Sequence, residues 1–377
     1  MRRLLGFVLL LVIVAGAGSW LDTADACGGL FCQNVPVDQQ AERIIFAVND
    51  DATISAYVQI NYTGSAPDFS WVVPVPSVPE LDVAEVDTFD ELAQLTRPRF
   101  IVPDIPDCAM VVMEADAESM AVPSASSDDV EVLAQGSVGP YDYSVITSPD
   151  PDALIIWLRE NDFRVTEPME PLIHVYNEEG MVFLAMKLQG EAGVQDIQPV
   201  VMTYESHRPM IPLRLTAVAA NPNMTVVTWI FAKDQAYPLN YAHPTIKDED
   251  IRVVPFIFDQ NGNPVTNYTQ LVDSTVDLYE GRAFVTEYAD DTESLMNAAN
   301  DPLVRELLRN YGYVTRFLGR ISPEEMTVDP IFDFDGDMVN VSNIHDLTKF
   351  DPEVVYGCEG SVVEVEFDND VVPGDWR

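Results

Sequence analysis

The chain has 377 residues, of which 20 are Lys or Arg and 62 are Asp or Glu, so its formal net charge is −42. This charge repels phosphate backbones and anionic membrane surfaces, which argues against nucleic acid and against lipid headgroups as partners. Hydrophobic residues make up 47% of the chain and aromatic residues 10%, too many for a disordered acidic protein. A chain of this length buries a core as one large domain or as two smaller ones.

The N-terminus has the three parts of a secretory signal peptide. Two arginines precede an apolar run at residues 4–17, and residues 24–26 have the small-x-small pattern of a cleavage site. We therefore predict a signal peptide over residues 1–26 and an extracytoplasmic protein that is secreted, periplasmic or on the cell surface. Two alternatives remain open. The apolar run stays uncut as a membrane anchor, or the new N-terminal residue, Cys27, is acylated.

Four cysteines remain after this cleavage: Cys27, Cys32, Cys108 and Cys358. An even number of cysteines in an exported chain favours two disulfides. Glycines at two positions of the loop make a tight Cys27–Cys32 bridge feasible, because glycine tolerates the required backbone angles. We expect Cys27–Cys32 together with Cys108–Cys358, while the other two connectivities remain open. A nucleophilic Cys27 is disfavoured, because a thiol in a disulfide is not a nucleophile.

The first part of the mature chain has the pattern of β-strands. Apolar and polar residues alternate over positions 54–62, which predicts a half-buried strand. A short apolar run at 43–48 and a polar turn at 49–51 come directly before it, so the two strands are predicted to form a hairpin. A further strand is predicted at 69–73, ended by the stretch Pro74-Val75-Pro76 because proline cannot donate to a ladder.

Three helix starts are indicated by capping residues. A helix is predicted at residues 88–95, where Thr88 and Glu91 have the spacing of a capping box. Asp150 and Asp301 are each followed by a proline and then by apolar residues at helical spacing. An N-cap residue with a proline in the first turn is typical of a helix start, so a helix is predicted after each of them.

Several apolar, β-branched runs lie in the middle of the chain and are predicted as strands: residues 181–188, 200–203, 211–219 and 226–231. The predicted fold class is α+β, β-rich with mixed or antiparallel sheets and a few short helices, and more helical in the last third. We expect one β-rich domain over 27–360 and an acidic C-terminal tail over 361–377. A division into two lobes near 241–250 is the alternative.

No catalytic or cofactor-binding motif is present in the sequence, which has neither a Gly-x-Ser-x-Gly nor a His-Glu-x-x-His pattern. None of the four histidines stands at metal-ligand spacing with another, so they are predicted to be isolated structural or surface residues. The four are His174, His207, His243 and His345.

An acidic cluster at Asp333, Asp335 and Asp337 is the one candidate metal site. Carboxylate oxygens suit calcium, a hard cation. The cluster departs from the EF-hand loop, because Gly336 is its fourth residue instead of its sixth and Ile344 stands where the loop has Glu. The alternative is a solvated acidic turn, which arises readily in a chain with so many acids.

Several blocks in a fixed order make the chain similar to a known family. They lie at residues 27–32, 69–76, 152–158, 209–217 and 322–326. In these blocks the chain resembles a bacterial exported family catalogued as domain of unknown function 2330. The resemblance implies an extracytoplasmic bacterial protein and carries over no activity. Some similar proteins end in a membrane-spanning helix, whereas this sequence ends at Arg377 without one.

The leading functional hypothesis is an exported, non-enzymatic binding module of the bacterial envelope or surface. Its partner is an unknown envelope or extracellular molecule, not nucleic acid, and no integral membrane segment remains after signal cleavage. One alternative is a secreted hydrolase whose site is assembled from distant residues. Another is a calcium-dependent adhesion or structural protein. The scarcity of lysine beside many acids suggests a salty environment, in which screening weakens self-repulsion.

Overall fold

The structure is a computed structural model that describes residues 39–60, 69–107, 131–190, 192–259 and 262–358. The predicted signal peptide, three of the four cysteines (Cys27, Cys32 and Cys108) and the predicted acidic tail lie outside these residues. Within the described residues strands outweigh helices, and the sheets are mixed or antiparallel. The predicted β-rich α+β class is therefore confirmed.

The strands are numbered in chain order. They are β1 (Gln39–Val48), β2 (Thr53–Ile60), β3 (Ser70–Val75), β4 (Glu80–Val83), β5 (Arg99–Ile101), β6 (Glu131–Val138), β7 (Tyr141–Thr147), β8 (Val182–Leu188), β9 (Val200–Glu205), β10 (Ala220–Ala232), β11 (Gln235–Pro238), β12 (Val253–Phe258), β13 (Pro264–Thr266), β14 (Val285–Asp291), β15 (Tyr313–Ile321), β16 (Phe332–Asp335) and β17 (Ile344–Asp346).

The α-helices in the same residues are α1 (Val86–Thr96), α2 (Pro151–Glu160), α3 (Glu170–Glu178), α4 (Leu213–Thr216), α5 (Tyr268–Asp277), α6 (Pro302–Asn310) and α7 (Pro352–Val355). They are spread along the chain, and four of these seven come before β10. The expectation of a more helical last third is not confirmed, because long strands such as β15 alternate with the helices there. No helix in the described residues is long and apolar enough to cross a membrane.

A seven-stranded sheet in the order β14-β15-β10-β1-β2-β9-β4 forms the centre of the fold. The predicted hairpin of β1 and β2 is part of it, with Val48 opposite Ile54. The turn between them is closed by a hydrogen bond from the Asn49 amide to the Thr53 carbonyl, 3.0 Å long. On its other side β1 pairs in parallel with β10, which makes the sheet mixed.

Strand β10 is buried on both faces of this sheet. Val226 and Ile230 face one apolar cluster, whereas Trp229 and Phe231 face a second cluster on the opposite side. A continuous apolar run is what a central strand covered on both faces requires. The apolar block that begins at Val226 therefore specifies the middle of the sheet.

A four-stranded sheet in the order β3-β8-β7-β6 contributes to the first and larger cluster. Strand β3 runs past the predicted end, and Pro74 lies inside it opposite Phe183. The strand ends at Val75, inside the stretch 74–76 that was predicted to stop it, so Pro74 itself does not end the strand. Strand β3 is an edge strand of its sheet, and an edge position tolerates proline because one side of the strand makes no ladder bonds.

Helices α1 and α6 cover the opposite face of the large sheet. Phe89 and Leu92 of α1 pack with Leu307 of α6 in the second apolar cluster. The predicted capping box in α1 was wrong. The helix begins at Val86 without a side-chain cap, and the Glu91 carboxylate instead accepts the backbone amides of the loop before α6.

Residues 211–219 were predicted as a strand and instead contain the short helix α4. Leu213 and Leu215 are fully buried, so the run is apolar because it is interior. A short apolar run cannot be assigned to strand or helix from periodicity alone. The predicted helix starts at Asp150 and Asp301 are confirmed, since each carboxylate accepts a backbone amide of the first turn.

Candidate functional site

A polar pocket of about 400 Å³ lies beside β14, an edge strand of the large sheet. Four segments far apart in sequence form its walls: the loop after β11, the start of α5, β14 itself and the stretch that leads into β17. The lining residues are Thr245, Ile246, Asp248, Tyr268, Thr286, Glu287, Val339, Asn340, Val341, Ser342, Ile344 and His345. We call this space the His345 pocket.

Backbone hydrogen bonds hold these walls against β14. Ala289 exchanges two 2.8 Å hydrogen bonds with Val341, and the Thr286 amide donates to the Pro244 carbonyl over 2.9 Å. Strand β17 pairs in parallel with β5, so that His345 lies opposite Phe100. The pocket is therefore built on hydrogen-bonded backbone, which fixes the positions of its side chains.

His345 and Asp248 form the central pair of the pocket. Nδ1 of the imidazole lies 2.8 Å from Oδ1 of the carboxylate, and the ring stacks on Phe100 at a centroid distance of 5.4 Å. Because a carboxylate only accepts hydrogen bonds, Nδ1 carries the proton, and Nε2 of the neutral ring is left as an acceptor. The Lys349 ammonium donates to the other oxygen of Asp248.

These contacts also set the charge of Asp248. Burial acts to raise the pKa of its carboxyl group, but the hydrogen bonds from Lys349 and His345 outweigh burial and hold the pKa below its ordinary value. Asp248 is therefore a carboxylate at neutral pH, and it fixes both the orientation and the tautomer of the imidazole.

Glu287 is the second carboxylate of the pocket, and it is almost fully buried. Arg316 donates from Nε to Oε2 of Glu287 over 2.6 Å, and its guanidinium lies over the ring of Trp229 at 5.3 Å. Tyr268 also makes a hydrogen bond to Glu287 through its side chain. Burial, followed by the charge of Glu287, raises the pKa of Tyr268 well above its ordinary value, so Tyr268 is the donor.

The pocket therefore offers carboxylates, hydroxyl groups, an amide and an imidazole. Neither Lys nor Arg is among its described lining residues. The two cations that neutralise its carboxylates, Arg316 and Lys349, contact them from outside the lining. Such an arrangement can bind a polar molecule through several hydrogen bonds, and His345 can accept a proton from it.

The predicted acidic cluster lies elsewhere in the structure. Asp333 makes an ion pair with Arg208, and the Asp335 carboxylate accepts the Asp337 amide over 2.8 Å. Across the described ranges no group of three or more His, Cys, Asp or Glu side chains is arranged to hold a metal ion.

The sequence does not reveal the His345 pocket, because its charged pairs are separated by long stretches of chain. His345 was predicted to be an isolated histidine, yet Asp248 lies 97 positions before it. No spacing rule connects residues so far apart. Neither Asp248 nor Glu287 lies in an apolar run that the sequence predicts as a strand, so no local pattern marked either residue.

A smaller cavity of about 30 Å³ lies between the two sheets and is mainly apolar. Glu42 projects into it, and burial raises the pKa of its carboxyl group to about 7. Glu42 Oε2 and Trp71 Nε1 have no hydrogen-bond partner among the described residues. The space has room for one or two water molecules and not for a metabolite, so the His345 pocket is the better candidate site.

The fold and this pocket define a β-rich α+β protein with a polar cavity at the edge of its main sheet. The chain belongs to a bacterial family described as "Uncharacterized protein conserved in bacteria (DUF2330)", whose family model matches residues 22–333. The resemblance in the sequence is thereby confirmed. The match includes Asp248 and Glu287, and His345 follows it. No curated protein and no solved structure matches the chain.

Proposed function

We propose that this protein is an exported binding protein of the bacterial envelope or surface that takes up a small polar ligand in the His345 pocket. The observation that carries the proposal is the pocket itself. Its volume of about 400 Å³ is within the range of small-molecule sites, and polar groups converge in it from four segments. The pairs His345–Asp248 and Glu287–Arg316 hold the binding groups in place before a ligand arrives.

A thermal-melt screen tests this proposal. The mature protein is heated separately with millimolar monosaccharides, amino acids, polyamines or nucleosides. A ligand present at about 100 times its Kd stabilises the folded protein by roughly 2.7 kcal/mol. We expect at least one class to raise the midpoint, and His345→Ala to abolish that rise. His207→Ala is the matched control, because His207 is exposed and does not line the pocket. A midpoint that no ligand class shifts would overturn the proposal. Equal shifts of the midpoint in His345→Ala and His207→Ala would overturn it as well.

Export is the second part of the proposal and rests on the N-terminal pattern of residues 1–26. We also propose the disulfides Cys27–Cys32 and Cys108–Cys358. The Tyr356 hydroxyl donates to the Pro103 carbonyl over 2.9 Å, which supports the second bridge. Mass spectrometry of the unreduced protein from culture supernatant or periplasm tests both parts. Cleavage after residue 26 and no free thiol are expected, whereas an uncut N-terminus or four thiols would contradict them.

Hydrolysis is a second candidate function, and the His345–Asp248 pair favours it. An imidazole oriented through Nδ1 by a carboxylate is the arrangement in which Nε2 takes a proton from an attacking water or hydroxyl. A disaccharide, dipeptide or nucleoside of the ligand class found in the melt screen, which has a bond that water can cleave, is incubated with the protein and analysed by mass spectrometry. Its recovery unchanged supports a binding protein. Conversion that is lost in His345→Gln supports a hydrolase.

Calcium binding at Asp333, Asp335 and Asp337 is a third and separate proposal. Melts with and without millimolar calcium test it, and Asp335→Asn is the variant to compare. A midpoint that rises with calcium only in the wild type supports a structural calcium site. An unchanged midpoint rejects it.

A further inference from the structure

We propose that the His345 pocket selects a neutral, hydroxyl-rich ligand of the size of a mono- or disaccharide over organic cations and over anions. This inference rests on the proposed function, because it names the ligand class of the same site. It follows from how the charges of the pocket are paired, from the kind of hydrogen-bonding groups it presents and from its apolar surfaces.

The charges of the pocket are already neutralised by the protein. Arg316 is paired with Glu287 at 2.6 Å, and Lys349 donates to Asp248. A cationic ligand would have to compete with these partners, and displacing Arg316 would leave a buried cation without its counter-charge. The carboxylates therefore give little net attraction to an organic cation.

Anions are disfavoured for a different reason. The described lining residues include no Lys or Arg that could pair with an anion, and they include two carboxylates. The whole chain carries a net charge of −42, and its field repels anions before they reach the pocket.

The hydrogen-bonding groups of the pocket match hydroxyl groups. A carboxylate has about four acceptor positions, so the partly exposed Asp248 can accept further donors after pairing with Lys349 and His345. The hydroxyl groups of Thr245 and Ser342 both donate and accept, and Nε2 of His345 accepts when the ring carries one proton. A hydroxyl group of the ligand also donates and accepts, so one ligand hydroxyl can form hydrogen bonds with two groups of the pocket at once.

Apolar side chains complete the lining beside these polar groups. Val339 is 84% exposed and Ile344 is 49% exposed, although both line the pocket. Burying them against the C–H groups of a sugar ring would remove apolar surface from water. A small polar ion without such a face would leave them exposed.

Isothermal titration of the full mature protein tests the ligand class. The neutral probes are glucose, galactose, N-acetylglucosamine and maltose, the cationic probes are choline and spermidine, and the anionic probes are citrate and phosphate. We expect at least one neutral sugar to bind, with a Kd that changes by less than about twofold between low and high salt, since no ligand charge is screened. We expect neither the cations nor the anions to bind measurably.

Two variants place the binding in the pocket. Thr245→Val removes a hydroxyl with little change of shape, and Asp248→Asn removes one carboxylate charge. Each should weaken sugar binding by about tenfold, the equivalent of one lost hydrogen bond. His207→Ala should bind as the wild type does. Melting curves without ligand show whether each variant is folded.

The outcomes separate the inference from the proposed function. A cation or an anion that binds in the pocket while no neutral sugar does would overturn the ligand class and leave the proposed function standing. Sugar binding that Thr245→Val and Asp248→Asn leave unchanged would overturn the inference as well. If none of these probes binds, the ligand class is overturned, whereas the proposed function falls only if the amino acids and nucleosides of the melt screen also leave the midpoint unchanged.

Discussion

Nδ1 of His345 lies 2.8 Å from Oδ1 of Asp248, although 97 positions of the chain separate the two residues. The contact joins β17 to the loop that follows β11, and Lys349 donates to the same carboxylate. The pocket therefore exists only when the C-terminal part of the described chain is folded against this loop. The stability of the contact and the shape of the pocket are coupled.

Asp248→Asn should destabilise the protein in a pH-dependent way. The pKa of Asp248 is held below the ordinary value of 3.8, so its pairs stabilise the fold above that pH, and this contribution is lost as the pH falls through the lower pKa of the folded state. Urea unfolding at pH 7 and near pH 3 measures the difference between wild type and variant. The difference in unfolding free energy between wild type and variant should be larger at pH 7 than near pH 3. A difference near pH 3 that is equal to or larger than that at pH 7 would contradict the pairing of Asp248.

Glu42→Gln should change stability in the opposite direction with pH. Burial raises the pKa of Glu42 from 4.5 to about 7, so Glu42 keeps its proton to a higher pH in the folded state than in the unfolded state. Wild-type stability should then fall as the pH rises from 4.5 to 7, by on the order of 3 kcal/mol relative to Glu42→Gln.

Urea unfolding at pH 5 and pH 8 checks the prediction for Glu42. The exposed Glu306 supplies the control, because Glu306→Gln should keep the pH dependence of the wild type. If Glu42→Gln also keeps that dependence, Glu42 is ionised at low cost, and the account of its cavity is wrong.

Arg316→Met should destabilise the fold strongly. The variant leaves Glu287 buried without its cation, a change that costs about 3–5 kcal/mol in buried pairs. Denaturant unfolding measures the loss, and Arg305→Met on the exposed face of α6 should cost little. Adding Glu287→Gln to Arg316→Met should restore part of the stability. A double variant that is no more stable than Arg316→Met would show that packing, not the unpaired charge, accounts for the loss.

Asp301→Ala should destabilise α6 at its start. The Asp301 carboxylate accepts the Val304 amide over 2.9 Å and the Thr88 hydroxyl over 3.1 Å, so it caps α6 and links it to α1. Removing such a cap costs about 1 kcal/mol. Asp301→Asn should retain most of the stability, because Asn is an equally good N-cap residue. Equal losses in both variants would mean that charge, and not capping, is what matters.

Local signals in the sequence identified much of the fold. The alternation that became β2, the cap at Asp150 and the cap at Asp301 involve residues within a few positions of one another, and these predictions were confirmed. Two differences from the predictions came from context that a local pattern does not contain. Pro74 lies within an edge strand, and the run at 211–219 is apolar because it is buried as the short helix α4.

The candidate site could not be predicted in the same way. Asp248, Glu287 and His345 lie on three separate segments, and only the tertiary fold brings them to one pocket. The sequence did indicate that a hydrolase site, if present, would be assembled from distant residues. It could not indicate which residues, because no local spacing records the pairing of β17 with β5.

Nuclear magnetic resonance of the histidine rings tests the central claim most directly. The chain has only four histidines, so the ring signals can be assigned by single substitutions. A ligand from the melt screen is titrated into protein labelled at histidine. The account predicts that the ring signals of His345 shift and saturate, while those of His174 and His207 stay in place. A ligand that stabilises the protein without moving the His345 signals would contradict it.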